Sequence, residues 1–124
     1  MLTQTENVSL AWEDFQENVC RSFSDLREDT ELSDVTLVCD DNQMLRAHKI
    51  VLSFSSSLLS PVLRSGSQSQ PLLYLLGVTV GQAEAVLDFC YRGQVMINRM
   101  DLEDFFRVAK LLGIKGGNWK GFSR

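Results

Sequence analysis

"SDVTLVCDDNQMLRAHKIVLS", residues 33–53, holds the only histidine of the chain, His48, with Lys49 after it, Asp34 upstream and Cys39 between. Two readings compete. A histidine, a cysteine and an acid within one short stretch could be chemistry, or the stretch could be a folding unit. Residues 35–39, "VTLVC", are β-branched and apolar, Asp40–Asn42 signal a turn, and a second extended run reaches Ala47. That is the pattern of a hairpin, with His48 at its exit into a helix. Cys39 closes an apolar strand, where cysteine behaves as a small hydrophobe. A Cys39–His48 nucleophile pair would also need an orienting group and oxyanion donors. Zinc is disfavoured by spacing: Cys20, Cys39, His48 and Cys90 contain no close ligand pair. No phosphate-binding glycine loop, nucleophile elbow or pair of catalytic carboxylates stands out. The expectation is no catalytic, metal or cofactor site.

Outward from the hairpin, Trp12, Phe15, Val19, Phe23 and Leu26 recur at three- and four-residue steps and form one helical stripe. Such a stripe fits core packing and a partner interface about equally well. The polar run "REDTELS" behind it favours the interface. Val8–Leu10 alternate enough for a very short strand. After the hairpin, "HKIVLSFSSSLLSPVLRS" reads as one or two short helices, the second capped by Ser57 or by Ser60 with Pro61 in its first turn. "SGSQSQ" (65–70) is a polar loop and "PLLYLL" (71–76) a buried strand. Thr79 and Gln82 have capping-box spacing for a helix ending at Gly93. "QVMI" (94–97) is a short extended segment. A last helix spans about 102–112, capped by Asp101 and stopped at Gly113. Helices on one small mixed sheet make an α+β fold.

At 124 residues the chain fits one domain. Its net charge of −4 and lack of a basic run disfavour direct binding to a nucleic-acid backbone. Three scattered cysteines argue for a reducing compartment. Neither a signal peptide nor an apolar run of membrane-spanning length is evident, so a soluble intracellular domain is expected.

"LSDVTLV", "LRAHKIVLS", "VLDFCYRGQV" and "AKLLGIKG" come in the order and spacing of a BTB/POZ domain, which the chain resembles over roughly residues 8–116. "VSLAWEDF" resembles the segment marking the tramtrack-type group of insect BTB domains, through Val8, Leu10, Trp12 and Phe15. The resemblance implies a protein–protein interaction module whose N-terminal strand and first helix serve dimerisation. It implies homo-oligomers, hetero-oligomers with other tramtrack-type BTB domains, and co-regulator partners. It also implies a nuclear transcription or chromatin regulator that contacts DNA through regions outside this chain and has no membrane association. Residues 1–7 would then be a tail and 117–124 the start of a linker. Val8, Leu10, Trp12, Phe15, Val19 and Phe23 would form the oligomer interface, and Asp34 and Lys49 a charged pair at the dimer groove. His48 would be a buried structural histidine. The alternative within the family is a substrate adaptor of a cullin-type ubiquitin ligase. Those members carry a hydrophobic-x-Glu motif after the third helix, and "SPVLRSGSQSQ" has no glutamate. The stretch "SFSSSLLS" departs from the family's commoner "CSP-aromatic-F", with Ser57 where that proline would stand.

Overall fold

The structure is a computed structural model, described here for residues 5–66 and 68–117. The expected linker at 117–124 falls, beyond Gly117, outside the described residues, as do the first four residues of the expected tail. Strands β1 (Val35–Cys39) and β2 (Met44–Ala47) form the hairpin. They pair antiparallel, from Val35 opposite Ala47 to Val38 opposite Met44. Asn42 takes the turn at φ 61, a backbone region that asparagine tolerates better than most residues. A third strand, β3 (Leu72–Leu75), pairs parallel to β1 on its other side, giving a mixed sheet in the order β2-β1-β3.

Alternation along β1 and its neighbours sends Val35, Leu37, Ala47 and Leu75 to a covered inner face. Helices close over it: α2 (Lys49–Ser55), α3 (Leu59–Ser65), α4 (Val80–Arg92) and α5 (Leu102–Leu111). They contribute Val51, Leu52, Leu63, Val86, Leu87, Phe105 and Val108 to the core. The remaining helix, α1 (Phe15–Asp25), continues into a 3-10 turn at Leu26–Glu28. Arg27 anchors that turn to α4 through Asp88, at 2.8 Å, with its guanidinium 5.9 Å from the Tyr91 ring centroid.

The capping box of α4 is present as read: Thr79 Oγ1 accepts from Gln82 N, and Gln82 Oε1 accepts from Thr79 N. Gly93 ends the helix at φ 79, a conformation glycine adopts without strain. The aspartates of the hairpin turn do more than turn. Asp40 accepts from Gly77 N and Asp41 from Val80 N, so the β1–β2 loop holds the approach to α4.

Several sequence expectations need correction. Val8–Leu10 forms no strand: residues 5–12 lie in no regular element, and Val8 and Leu10 are exposed. A strand is completed only by a neighbour that pairs with it, and none of the described residues pairs there. Trp12 precedes α1, because Asp14 at φ 63 breaks the helical path before Phe15. Neither Ser57 nor Ser60 caps α3. The N-cap position is Leu58, and the first N–H of α3 is served from before the helix: Ser56 Oγ accepts from Leu59 N at 2.8 Å, while its own hydroxyl donates to Leu112 O. Pro61 is then the third residue of α3, still within the first turn where a backbone N–H has no intrahelical partner. The strand at 71–76 is not fully buried: Leu72 and Tyr74 lie on the uncovered sheet face, and Leu76, in the turn after β3, is exposed. Residues 94–97 join no ladder. Before α5 the cap is Asn98, whose side chain accepts from Met100 N to start a 3-10 turn at Arg99–Asp101; Asp101 makes no side-chain cap.

Candidate protein interaction surface

Helix α1 contains no buried residue. Its inner side rests on the core through Phe23 and, just beyond it, Leu26, both partly buried. The Phe23 ring sits edge-on to Phe54 of α2, with centroids 5.9 Å apart, and 6.4 Å from Tyr91 of α4. Outward from Phe23 the same stripe is open: Val19 is 41% exposed, Phe15 50% and Trp12 63%. Trp12 and Phe15 pack on each other edge-to-face at 5.0 Å, with no core beneath them. Trp12, Val19, Phe23 and Leu26 line an open groove together with Asn18 and Ser22.

Two residues missed by the sequence reading extend this surface. Ile50 and Phe54 of α2 are 69% and 67% exposed. The signal was legible: "KIVLSFS" is apolar on both sides, with Val51 and Leu52 buried inward, so its other side must face something else. Val8 and Leu10 add exposures of 76% and 91%. Thus α1 and α2 bring Trp12, Phe15, Val19, Phe23, Ile50 and Phe54 onto one apolar side, with Val8 and Leu10 on the segment leading into it.

Asp34 and Lys49 do meet, but not as an ion pair. Asp34 Oδ1 accepts from the Lys49 backbone N–H at 2.7 Å, and Lys49 Nζ donates to Gln68 O at 3.3 Å. The carboxylate therefore serves the first free N–H of α2, where negative charge also suits the helix dipole. His48 is 4% exposed and engaged at both ring nitrogens. Its Nε2 lies 2.8 Å from Asp29 O, and its Nδ1 2.7 Å from Tyr91 Oη. A carbonyl only accepts, so Nε2–H donates to it and Nδ1 accepts from the tyrosine hydroxyl. The same hydroxyl accepts from His48 N–H at 3.0 Å. Burial pushes the Tyr91 hydroxyl up to about 12, against the smaller downward pulls of the His48 hydrogen bond and Arg27. With its ring so occupied, His48 forms no pair with Cys39. That thiol is buried and raised by burial first and by Asp41, Asp40 and Glu84 after it, the opposite of an activated nucleophile. Among the described residues no group of three or more His, Cys, Asp or Glu could hold a metal ion. No helix among them is long and apolar enough to cross a membrane.

Known proteins share this organisation. A profile of the BTB/POZ domain matches residues 23–120. The Longitudinals lacking protein-like of Drosophila melanogaster is 34% identical over 116 residues, covering 94% of this chain and 91% of that protein. Protein tramtrack, alpha isoform, from the same fly is 34% identical over 94% of this chain but 14% of its own length. The fly's Transcription activator GAGA is 33% identical over 87% of this chain and 18% of its own length. The chain thus spans most of one relative and a small part of the others. In three dimensions it superposes on the BTB domain of human gigaxonin with a TM-score of 0.69 at 23% identity, covering 88% of this chain and 89% of that one. A fly tramtrack-type relationship in sequence and a BTB neighbour in structure lead to one conclusion: the chain belongs to the BTB/POZ domain family.

Proposed function

We propose that this BTB domain, a protein-interaction module, works by self-association through the face built from α1 and α2, and does so within a nuclear transcription or chromatin regulator. The observation that carries the reading is an amphipathic helix without a buried residue, lying beside a second helix with two large exposed apolar side chains. Aromatic anchors of this kind concentrate binding energy in interfaces, and a two-fold axis would bury the same patch twice.

Magnitudes support assembly but make it a close balance. Burying an exposed Val, Ile or Phe side chain gains about 1.5–3 kcal/mol. Trp12, Phe15, Val19, Ile50 and Phe54 from two protomers would give on the order of 15–30 kcal/mol if each began fully exposed. They begin at 41–69% exposure, so roughly half of that remains, or ~8–15 kcal/mol. Lost rotational and translational freedom costs about 4–15 kcal/mol. The ranges overlap, so the helical face alone falls anywhere from about 7 kcal/mol short to about 11 kcal/mol in favour. Val8 and Leu10, the most exposed of the set, supply the remainder by pairing as a strand with the partner chain.

The tramtrack and GAGA relatives extend this reading: co-regulators and other tramtrack-type BTB domains are the expected partners, and DNA contact belongs to other parts of such a regulator. The domain itself performs no catalysis. The test is charge placed on the face. Ile50→Asp and Phe54→Asp alter side chains already two-thirds exposed. In sedimentation velocity they should shift the wild-type assembly toward a 14.0 kDa species with its circular dichroism retained. An assembly unchanged by both substitutions rejects this face.

A further inference from the structure

Arg46 and Lys49 are cations without an acidic partner: among the described residues neither is in ion-pair contact with a carboxylate. Arg46 lies on the uncovered face of the sheet and spends its guanidinium on neutral groups. Nε donates to Ser33 Oγ at 3.0 Å, Nη1 to Thr36 Oγ1, and Nη2 to Ser33 O at 3.0 Å and Gln70 Oε1 at 2.9 Å. Lys49 Nζ donates to Gln68 O at 3.3 Å. The two cations thus grip the residues on either side of Ser69, an exposed serine in the polar loop between α3 and β3. Asp34 is committed to Lys49 N. Ser69 is followed by glutamine, the dipeptide that glutamine-directed serine kinases accept.

We propose that Ser69 is a phosphorylation site whose phosphate is held by Arg46 and Lys49. In the modification, Ser69 Oγ attacks the γ-phosphorus of a nucleoside triphosphate. The new O–P bond forms as the bond to the β–γ bridging oxygen breaks, the nucleoside diphosphate leaves, and the hydroxyl proton passes to the kinase's base. The product adds a charge of about −1.5 to −2 and three strong acceptors. Arg46 can then exchange the neutral Gln70 amide for a charged, bidentate partner, and Lys49 can exchange the Gln68 carbonyl. The loop is drawn onto the sheet face and the start of α2, beside Ile50. The site does not depend on self-association.

The test has two arms on the intact chain. Ser67 is also followed by glutamine in the sequence, so treatment with a glutamine-directed serine kinase and Mg-ATP is read by site-resolved tandem mass spectrometry. Phosphate should be placed on Ser69, and a Ser67→Ala chain should keep it; no incorporation at Ser69 overturns the assignment. In chain carrying phosphoserine at 69, phosphorus NMR should show the phosphate titrating below its ordinary ~6. That displacement should shrink with added salt and in Lys49→Gln, which leaves the Arg46 contacts to Ser33 and Thr36 intact, and vanish in Lys49→Gln with Arg46→Gln. A phosphate titrating at ~6 in the otherwise unaltered chain overturns the reading by Arg46 and Lys49.

Discussion

His48 shows how one residue can be conspicuous for a structural reason. Its ring is exhausted by Asp29 O and Tyr91 Oη, and its backbone N–H by the same tyrosine oxygen. Tyr91→Phe leaves two buried polar groups of His48 unsatisfied, at about 1–3 kcal/mol for each such group; chemical denaturation should show a loss of at least that size. The hydroxyl also sets a pH dependence. Its pKa rises from 10.0 unfolded to about 12 folded, so the folded state holds its proton more tightly. The contribution is complete below pH 10 and fades as pH rises toward 12. Melting curves of wild type and Tyr91→Phe should converge across that window. Asp34 and Lys49 separate in the same way. Asp34→Ala removes the acceptor for the first N–H of α2 and should cost about 0.5–2 kcal/mol, whereas Lys49→Gln should stay within ~0.5 kcal/mol. Equal losses would restore the ion pair. The family resemblance, not residue spacing, singled out these two residues, and it could not say which nitrogen of the lysine meets the carboxylate.

Elements were legible where the signal was local. The hairpin, the capping box of α4 and the α5 helix follow from alternation, Thr79/Gln82 spacing and apolar periodicity. What failed depended on distant groups. The first N–H of α3 goes to Ser56 Oγ, whose hydroxyl is fixed by Leu112 O, 56 residues away, while Ser57 Oγ turns to Gly113 O instead. The same corner explains Gly113. At φ 66 it lets the chain turn, and a Cβ there would meet Leu58 Cβ at 2.8 Å and Leu58 N at 3.1 Å. Ser56→Ala should therefore cost about 1–3 kcal/mol, and Gly113→Ala a similar or larger amount through strain and clash. Thermal melts check both, and an unshifted Ser56→Ala would remove the cap from the account. β3 was misjudged because an all-apolar run does not declare which face is covered. Leu72 and Tyr74 share a face with Thr36 and Val38 of β1, and no helix among the described residues closes it.

The whole molecule divides into a core that is satisfied and a surface that is not. Val35, Val51, Val86 and Val108 are sealed between sheet and helices, while Val8, Leu10, Trp12, Phe15, Val19, Ile50 and Phe54 remain in water. The stripe on α1 was visible in the sequence; its exposure was not, since the same periodicity serves core and interface. Ile50 and Phe54 joined it only when α2 was placed beside α1. Because the helical face alone can fall short of the cost of association, the N-terminal segment should matter: removing residues 1–10 should lower the assembly state or its melting temperature, and unchanged values for both would exclude Val8 and Leu10. The central claim is self-association itself. Light scattering at micromolar concentration should give a mass at least twice 14.0 kDa, and a strictly 14.0 kDa species would contradict it.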